Sequence, residues 1–172
     1  MEFTVRPATT EDLDSIVQLS HEHLKTKQLE VDATTIAVTF QVLLEHPAYQ
    51  IMVAADPEAR LVGLVTASTS PLAETNQTLV FLENLFVHES ARSQQVAHQL
   101  MDAVMMDTSA EQPIFATSVA ESDLSENGPL FVGAGYQQAD DQTTARLIES
   151  LSGLPLERGL EGDLVYYTMT PQ

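Results

Sequence analysis

The stretch Leu82-Glu83-Asn84-Leu85-Phe86-Val87-His88-Glu89-Ser90-Ala91-Arg92-Ser93-Gln94-Gln95-Val96-Ala97 holds the residues best placed for chemistry. An apolar strand pattern runs into a tight turn and then into a helical pattern. The first turn of a helix leaves backbone N–H groups unpaired and carries a partial positive charge, a combination that suits a phosphate. Arg92 adds a cation at that turn, unless it is a plain surface residue of the helix. His88 lies in the turn and could assist proton transfer. Glu83 alternates with Leu82 and Leu85, a pattern that also fits a solvent-facing strand residue. The other histidines offer less: His21 and His23 lie about 200° apart around a helix, so they cannot share a metal ion. His46 reads as a helix C-terminal residue meeting the dipole. The chain has no cysteine, which excludes disulfides, thiolate zinc sites and a cysteine nucleophile. No metal-ligand cluster and no nucleophile–base motif appears, so no metal is expected.

The elements that must position this segment follow from periodicity. Glu2 to Pro7 alternates as a strand, and Thr9 to Asp12 reads as a capping box opening a helix whose inner face is Leu13, Ile16, Val17 and Leu24. A second helix starts near Asp32, buries Ile36, Phe40, Leu43 and Leu44, and stops at Pro47. A hairpin follows: Tyr49 to Ala55, a turn over Asp56 to Ala59, then Arg60 to Ser68. After a turn-rich stretch from Ser70 to Asn76, one long strand is expected over Thr78 to Val87. A helix from about Ala91 to Asp107 presents Val96, Ala97, Leu100, Met101 and Val104 inward. Ile114 to Val119 reads as a buried strand, and an acidic loop (Glu121, Asp123, Glu126) leads to a short helix near Pro129. Gly135 ends that helix and Tyr136 starts a strand. Asp163 to Thr170 is the last strand, with Val165 and Tyr167 on one face. The order is β-α-α-β-β-β-α-β-α-β-β, a mixed sheet covered by helices. Between 140 and 162 lies a longer connection with a weak amphipathic patch (Ala145, Leu147, Ile148, Leu151), which fits a lid, a dimer contact or a surface insertion.

Composition narrows the partners. At 172 residues the chain has the size of one domain, and 44% hydrophobic residues exclude a disordered acidic tail despite a net charge of −18. Two lysines and five arginines cannot form a basic stripe, so neither nucleic acid nor an anionic membrane is an expected partner. No apolar run approaches a membrane span, and the polar start lacks a signal-peptide layout, so a cytoplasmic location is expected. The acidic surface serves solubility, attracts a cationic substrate or mimics a polyanion; charge alone does not choose among these.

The segment Arg92-Ser93-Gln94-Gln95-Val96-Ala97 resembles the phosphate-binding signature of the GNAT superfamily of N-acyltransferases: Gln or Arg, two residues, Gly, one residue, then Gly or Ala. The family's opening is similar to Phe3 to Asp12, its Gly-containing hairpin to Ile51 to Ala67 around Gly63, and its closing block to Asn127 through Gly135-Tyr136. The four motifs stand in family order and spacing over most of the chain.

The resemblance implies an α/β (α+β) fold over residues 1–172 as a single domain, with an insertion at about 140–162. Its centre would be a mixed, mostly antiparallel sheet of about seven strands flanked by four helices and splayed between the fourth and fifth strands. Acetyl-CoA would enter that splay as a strand-like partner and co-substrate. Leu85, Phe86 and Val87 would hold its pantetheine and acyl carbonyl through backbone groups. Arg92, Ser93, Gln94, Gln95, Val96 and Ala97 would hold its pyrophosphate, and Asn127 would contact it too, if it is not simply a helix cap. Glu83 would be the catalytic base for an amine acceptor, either a small molecule or a peptide lysine or N-terminus. Paired subunits are common in that family. Three positions depart from its pattern: Gln95 and Ser93 stand where glycine is usual, and Phe131 stands where a tyrosine usually protonates the leaving thiolate. A catalytically lapsed binding or regulatory module is the alternative that these departures favour.

Overall fold

Thr9 and Asp12 set the first helix. In the computed structural model, which describes residues 3–72, 75–91, 94–151 and 164–171, the Asp12 carboxylate reaches back to the Thr9 N–H (2.8 Å) and hydroxyl (3.1 Å). Helix α1 (Leu13–Thr26) then runs on. Helix α2 (Ala33–Glu45) is capped by Asp32, which accepts the Thr35 N–H. Of the expected inner faces, Ile16, Ile36, Phe40 and Leu43 share one core with Ile51, Val53, Leu64 and Phe86; Leu13, Val17, Leu24 and Leu44 pack against it partly buried, and Leu19, which the spacing did not single out, is buried with them.

The backbone groups into two compact units, residues 1–67 with 84–108 and residues 68–83 with 109–172. In the first, β1 (Thr4–Pro7) pairs antiparallel with β2 (Tyr49–Ala55), in register from Thr4↔Ala55 to Pro7↔Met52. Strand β3 (Leu61–Pro71) returns beside β2 after a turn in which Asp56 accepts the N–H groups of Glu58 and Arg60. Helix α3 (Gln94–Asp107) buries Val96, Ala97, Leu100, Met101 and Val104 as the pattern predicts. Its start is later than expected, because Glu89–Ala91 forms a separate 3₁₀ turn first. Gly63 permits close packing at this point: a Cβ there would lie 3.2 Å from Leu100 Cδ1 and 3.3 Å from the Phe86 carbonyl oxygen.

In the second unit, β4 (Thr78–Leu82) runs parallel to β6 (Pro113–Ala120), which pairs antiparallel with β8 (Leu164–Met169), itself paired with β7 (Gln137–Gln138). Helix α4 (Leu124–Gly133) stops because Gly135, at φ +90°, turns the chain so that the Tyr136 N–H meets the Phe131 carbonyl. The hydrogen-bonded strand order is β1-β2-β3-β4-β6-β8-β7, a mixed and mostly antiparallel sheet.

Three expectations need correction. The single strand over Thr78 to Val87 is two strands, β4 and β5 (Phe86–Val87). The β4–β6 ladder ends at Leu82↔Thr117, and after residues 83–85 the chain pairs back onto β3 through Gly63↔Val87 and Leu64↔Phe86. Helix α4 begins before Pro129, so Glu126 lies in its first turn rather than in a loop. The described residues also hold five α-helices, not four. The fifth, α5 (Asp141–Leu151), occupies most of the first half of the connection at 140–162 and buries Leu147 and Leu151 against Leu72, Leu79, Phe81 and Ala116. Two leucines four residues apart on a helix are enough to seat it; residues 152–163 lie outside the described residues.

Candidate functional site

Glu83 follows directly on the buried end of β4. There the Thr117 hydroxyl donates to the Leu82 carbonyl (3.1 Å) and fixes the last rung of the parallel ladder. The expectation of a solvent-facing side chain is not met. Glu83 is only partly exposed, and its Oε2 is buried with no hydrogen-bond partner. Alternation fails because the strand pattern ends at Leu82. Burial raises the Glu83 pKa to about 7, and the Ser68 hydroxyl offsets this only in part. Ser68 Oγ is itself buried without a completed hydrogen bond, so Ser68 does not hold the carboxylate as a firm partner would. A carboxylate in this state exchanges a proton near neutral pH, which is what a general base requires.

On the other side of this break, in the first unit, Asn84 donates to Thr66 Oγ1 (3.1 Å) and anchors the chain to β3. Phe86 is buried beneath the His23 ring, stacked at 4.4 Å and 11°. Among the described residues β5 pairs only with β3, so its other edge makes no strand pairing. The His88 N–H bonds the Val62 carbonyl (2.7 Å), and the Ala91 N–H bonds the His88 carbonyl (2.9 Å), which closes the turn toward α3. His88 Nδ1 lies 2.8 Å from Ser90 Oγ, and its Nε2 lies 3.8 Å from Glu22 Oε2.

Gln94, Gln95, Val96 and Ala97 form the first turn of α3, the positive end of the helix dipole. Gln95 is exposed, helical and not at positive φ, so this turn does not need the freedom of glycine. Arg92 and Ser93 lie outside the described residues. An open strand edge followed by a helix N-terminus has the donor set that a pantetheine arm and a pyrophosphate would use.

Asn127 lies inside α4, one turn beyond the N-cap Asp123, so it is not the helix cap. Phe131 is buried, its ring 5.8 Å from Tyr136 and 6.1 Å from Tyr167. It is a core residue with no proton to give. His46 caps α2, but its Nδ1 accepts the Ala48 N–H (3.2 Å) instead of meeting helix carbonyls. Sequence reasoning did not find Ser68, Thr66 or the His23 stack. Each reaches the site through strand register or helix docking, which no local pattern announces. Among the described residues no group of His, Asp and Glu could hold a metal ion, and no helix is long and apolar enough to cross a membrane.

A sheet of this order with an open β5 edge leading into α3 defines an acyltransferase fold, and comparison agrees. The family model of the acetyltransferase (GNAT) domain matches residues 20–151. The chain belongs to the GNAT acetyltransferase family. A GNAT acetyltransferase from Staphylococcus aureus Mu50 superposes with a TM-score of 0.70 at 12% identity, over 99% of this chain and 100% of that one. Arabidopsis thaliana NAA60 in complex with acetyl-CoA gives 0.67 at 16% identity, over 98% of each chain. The aminoglycoside N-acetyltransferase AAC(6')-Iy in complex with CoA gives 0.68 at 16% identity, over 81% of this chain and 90% of that one. No curated protein matches the sequence significantly.

Proposed function

We propose that this protein is an acetyl-CoA-dependent N-acetyltransferase that acetylates an amine by direct attack, with Glu83 as general base. The observation that carries this reading is the buried, hydrogen-bond-deficient Glu83 oxygen at the end of β4. Leu85 and the free edge of β5, Phe86 and Val87, receive the pantetheine arm. The first turn of α3, with Arg92 and Ser93 before it, receives the pyrophosphate, and Asn127 contributes a further contact. The acceptor nitrogen attacks the acetyl carbonyl carbon, so the C–N bond forms and the C–S bond breaks. Glu83 takes the proton released by the amine, directly or through water. The departing thiolate draws its proton from solvent, because Phe131 cannot donate one. The net charge of −18 favours a cationic acceptor, a small amine or a lysine-bearing peptide, in an acidic protein of the cytoplasm that pairs as a homodimer.

Calorimetric titration with acetyl-CoA and CoA, followed by an amine screen, tests this. Micromolar binding and acetylation of a cationic amine are expected; no binding up to millimolar concentrations would end the proposal. The buried Phe131 favours a second reading, a lapsed family member that binds a ligand without turning it over. Tight CoA binding with no acetylation of any amine would select it.

A further inference from the structure

The first unit contains a cavity of about 150 Å³ walled by Leu43 and Leu44 of α2, Ile51 and Met52 of β2, and the polar pair Gln50 and Asp107. At the ~30 Å³ that a liquid water occupies, this is room for about five non-hydrogen atoms. Asp107 is the last residue of α3, a helix of 14 residues. The cavity therefore lies about 20 Å from the turn that suits a phosphate, at 1.5 Å per residue.

Gln50 and Asp107 favour a cation, and Tyr49, also in the lining, carries a neutral hydroxyl. Asp107 is exposed and accepts one long bond from Gln50 Nε2 (3.3 Å). Gln50 Oε1 is buried without a hydrogen-bond partner, an acceptor whose lost hydration nothing replaces. The terminal amide torsion of glutamine is broad, so a modest turn presents this oxygen to a ligand. The lining includes no basic residue, and the last turn of α3 has none to offset the negative end of its dipole.

We propose that this cavity binds a primary ammonium group carried on a short alkyl chain. An ammonium has three donors and no acceptor, which matches a carboxylate and an unsatisfied amide oxygen. The short alkyl chain lies against Pro7, Ala8, Leu44 and the Tyr49 ring, the lining residues that keep accessible apolar surface. A carboxylate or phosphate ligand is repelled, and a neutral alcohol gains no charge-assisted bond. This site is independent of the acetyl-transfer reading.

The test is a ¹H–¹⁵N NMR titration of the full chain with n-butylammonium, with n-butanol as its neutral counterpart. The proposal expects saturable shifts at the amides of Leu44, Gln50, Asp107 and Thr108. For so small a ligand the Kd should be about 1–10 mM, with n-butanol at least about tenfold weaker. Asp107→Asn and Gln50→Leu should each weaken n-butylammonium binding about tenfold or more. Equal shifts from n-butanol would overturn it and make the cavity a generic apolar void. Non-saturating shifts spread over the surface would reduce it to diffuse attraction by the acidic chain. Binding unchanged in Asp107→Asn would place the amine elsewhere, an acetylation site included, and would also overturn it.

Discussion

Asp12 and Glu83 are both carboxylates partly withdrawn from water, yet their surroundings drive them in opposite directions. Asp12 takes two bonds of 2.8 Å from the Arg6 guanidinium and two more from Thr9. These partners outweigh its burial and hold its pKa at about 2. Glu83 is buried with one oxygen unpartnered and only Ser68 offsetting the burial, and its pKa rises to about 7. The first environment stabilises the fold and leaves nothing to react. The second destabilises the charged form and keeps a proton in exchange at neutral pH. Four hydrogen bonds on one side, and desolvation that a single hydroxyl offsets only in part on the other, drive the two carboxylates apart.

The sharpest way to break this comparison is Glu83→Gln. If Glu83 is the base, acetylation should fall about 10²–10⁴-fold, while CoA affinity, if β5 and α3 carry it as proposed, should change less than about twofold. The same variant should be more stable than the parent at pH 8, by roughly 2 kcal/mol after discounting for its partial exposure. The sign follows from linkage. The folded pKa is raised above the ordinary value, so folding is favoured while the group is protonated, and that advantage is lost as pH climbs from about 4.5 through about 7. Equal or lower stability of the variant at pH 8, measured by urea unfolding, would remove the contrast with Asp12. Unchanged turnover would remove Glu83 from the mechanism.

Asp12 supplies the converse. Asp12→Asn should cost roughly 1–2 kcal/mol at pH 7, since the Arg6 partner is 43% exposed and screened by solvent. Acetylation per folded molecule should not change. Here the folded pKa is depressed, so the stabilisation is present above about 4 and fades as pH falls toward 2. Urea unfolding of parent and variant at a series of pH values should show the two curves converging below pH 3. A gap that persists there would mean that packing, not charge, holds the pair.

The contrast also explains what the sequence made legible. Thr9 and Asp12 are three residues apart at the start of an amphipathic run, and Arg6 is six away, so this whole assembly is written locally. The Asp32 cap, the buried faces of α1 to α3 and the Gly135 stop were readable for the same reason. The surroundings of Glu83 depend on β3 lying beside β4, which brings Ser68 from 15 residues upstream, and on the ladder ending at Leu82. Neither is encoded in a short window. The resemblance marked Glu83 as a candidate, whereas strand alternation pointed it to solvent. Helix α5 was hidden differently: its apolar positions suffice to seat one face but were too sparse to separate it from a surface insertion.

The smallest expected effect refines the Glu83 side of the comparison. Among the described residues Ser68 is the neighbour that draws the Glu83 pKa down, and its hydroxyl is buried without a completed bond. Ser68→Ala removes that influence and leaves the burial. The acid limb of the kcat/KM profile, expected near pH 7, should then move upward by a few tenths of a pH unit, on the order of 0.5 kcal/mol. Turnover on the alkaline plateau should stay within about twofold, because the base itself is intact. Titration of the Glu83 carboxyl carbon by NMR gives the same pKa without turnover and separates a shift in the base from a change of rate-limiting step. A limb that moves downward would mean that the Ser68 hydroxyl opposes the carboxylate. A limb that stays in place while the carbon titration shifts would assign the acid limb to a group other than Glu83.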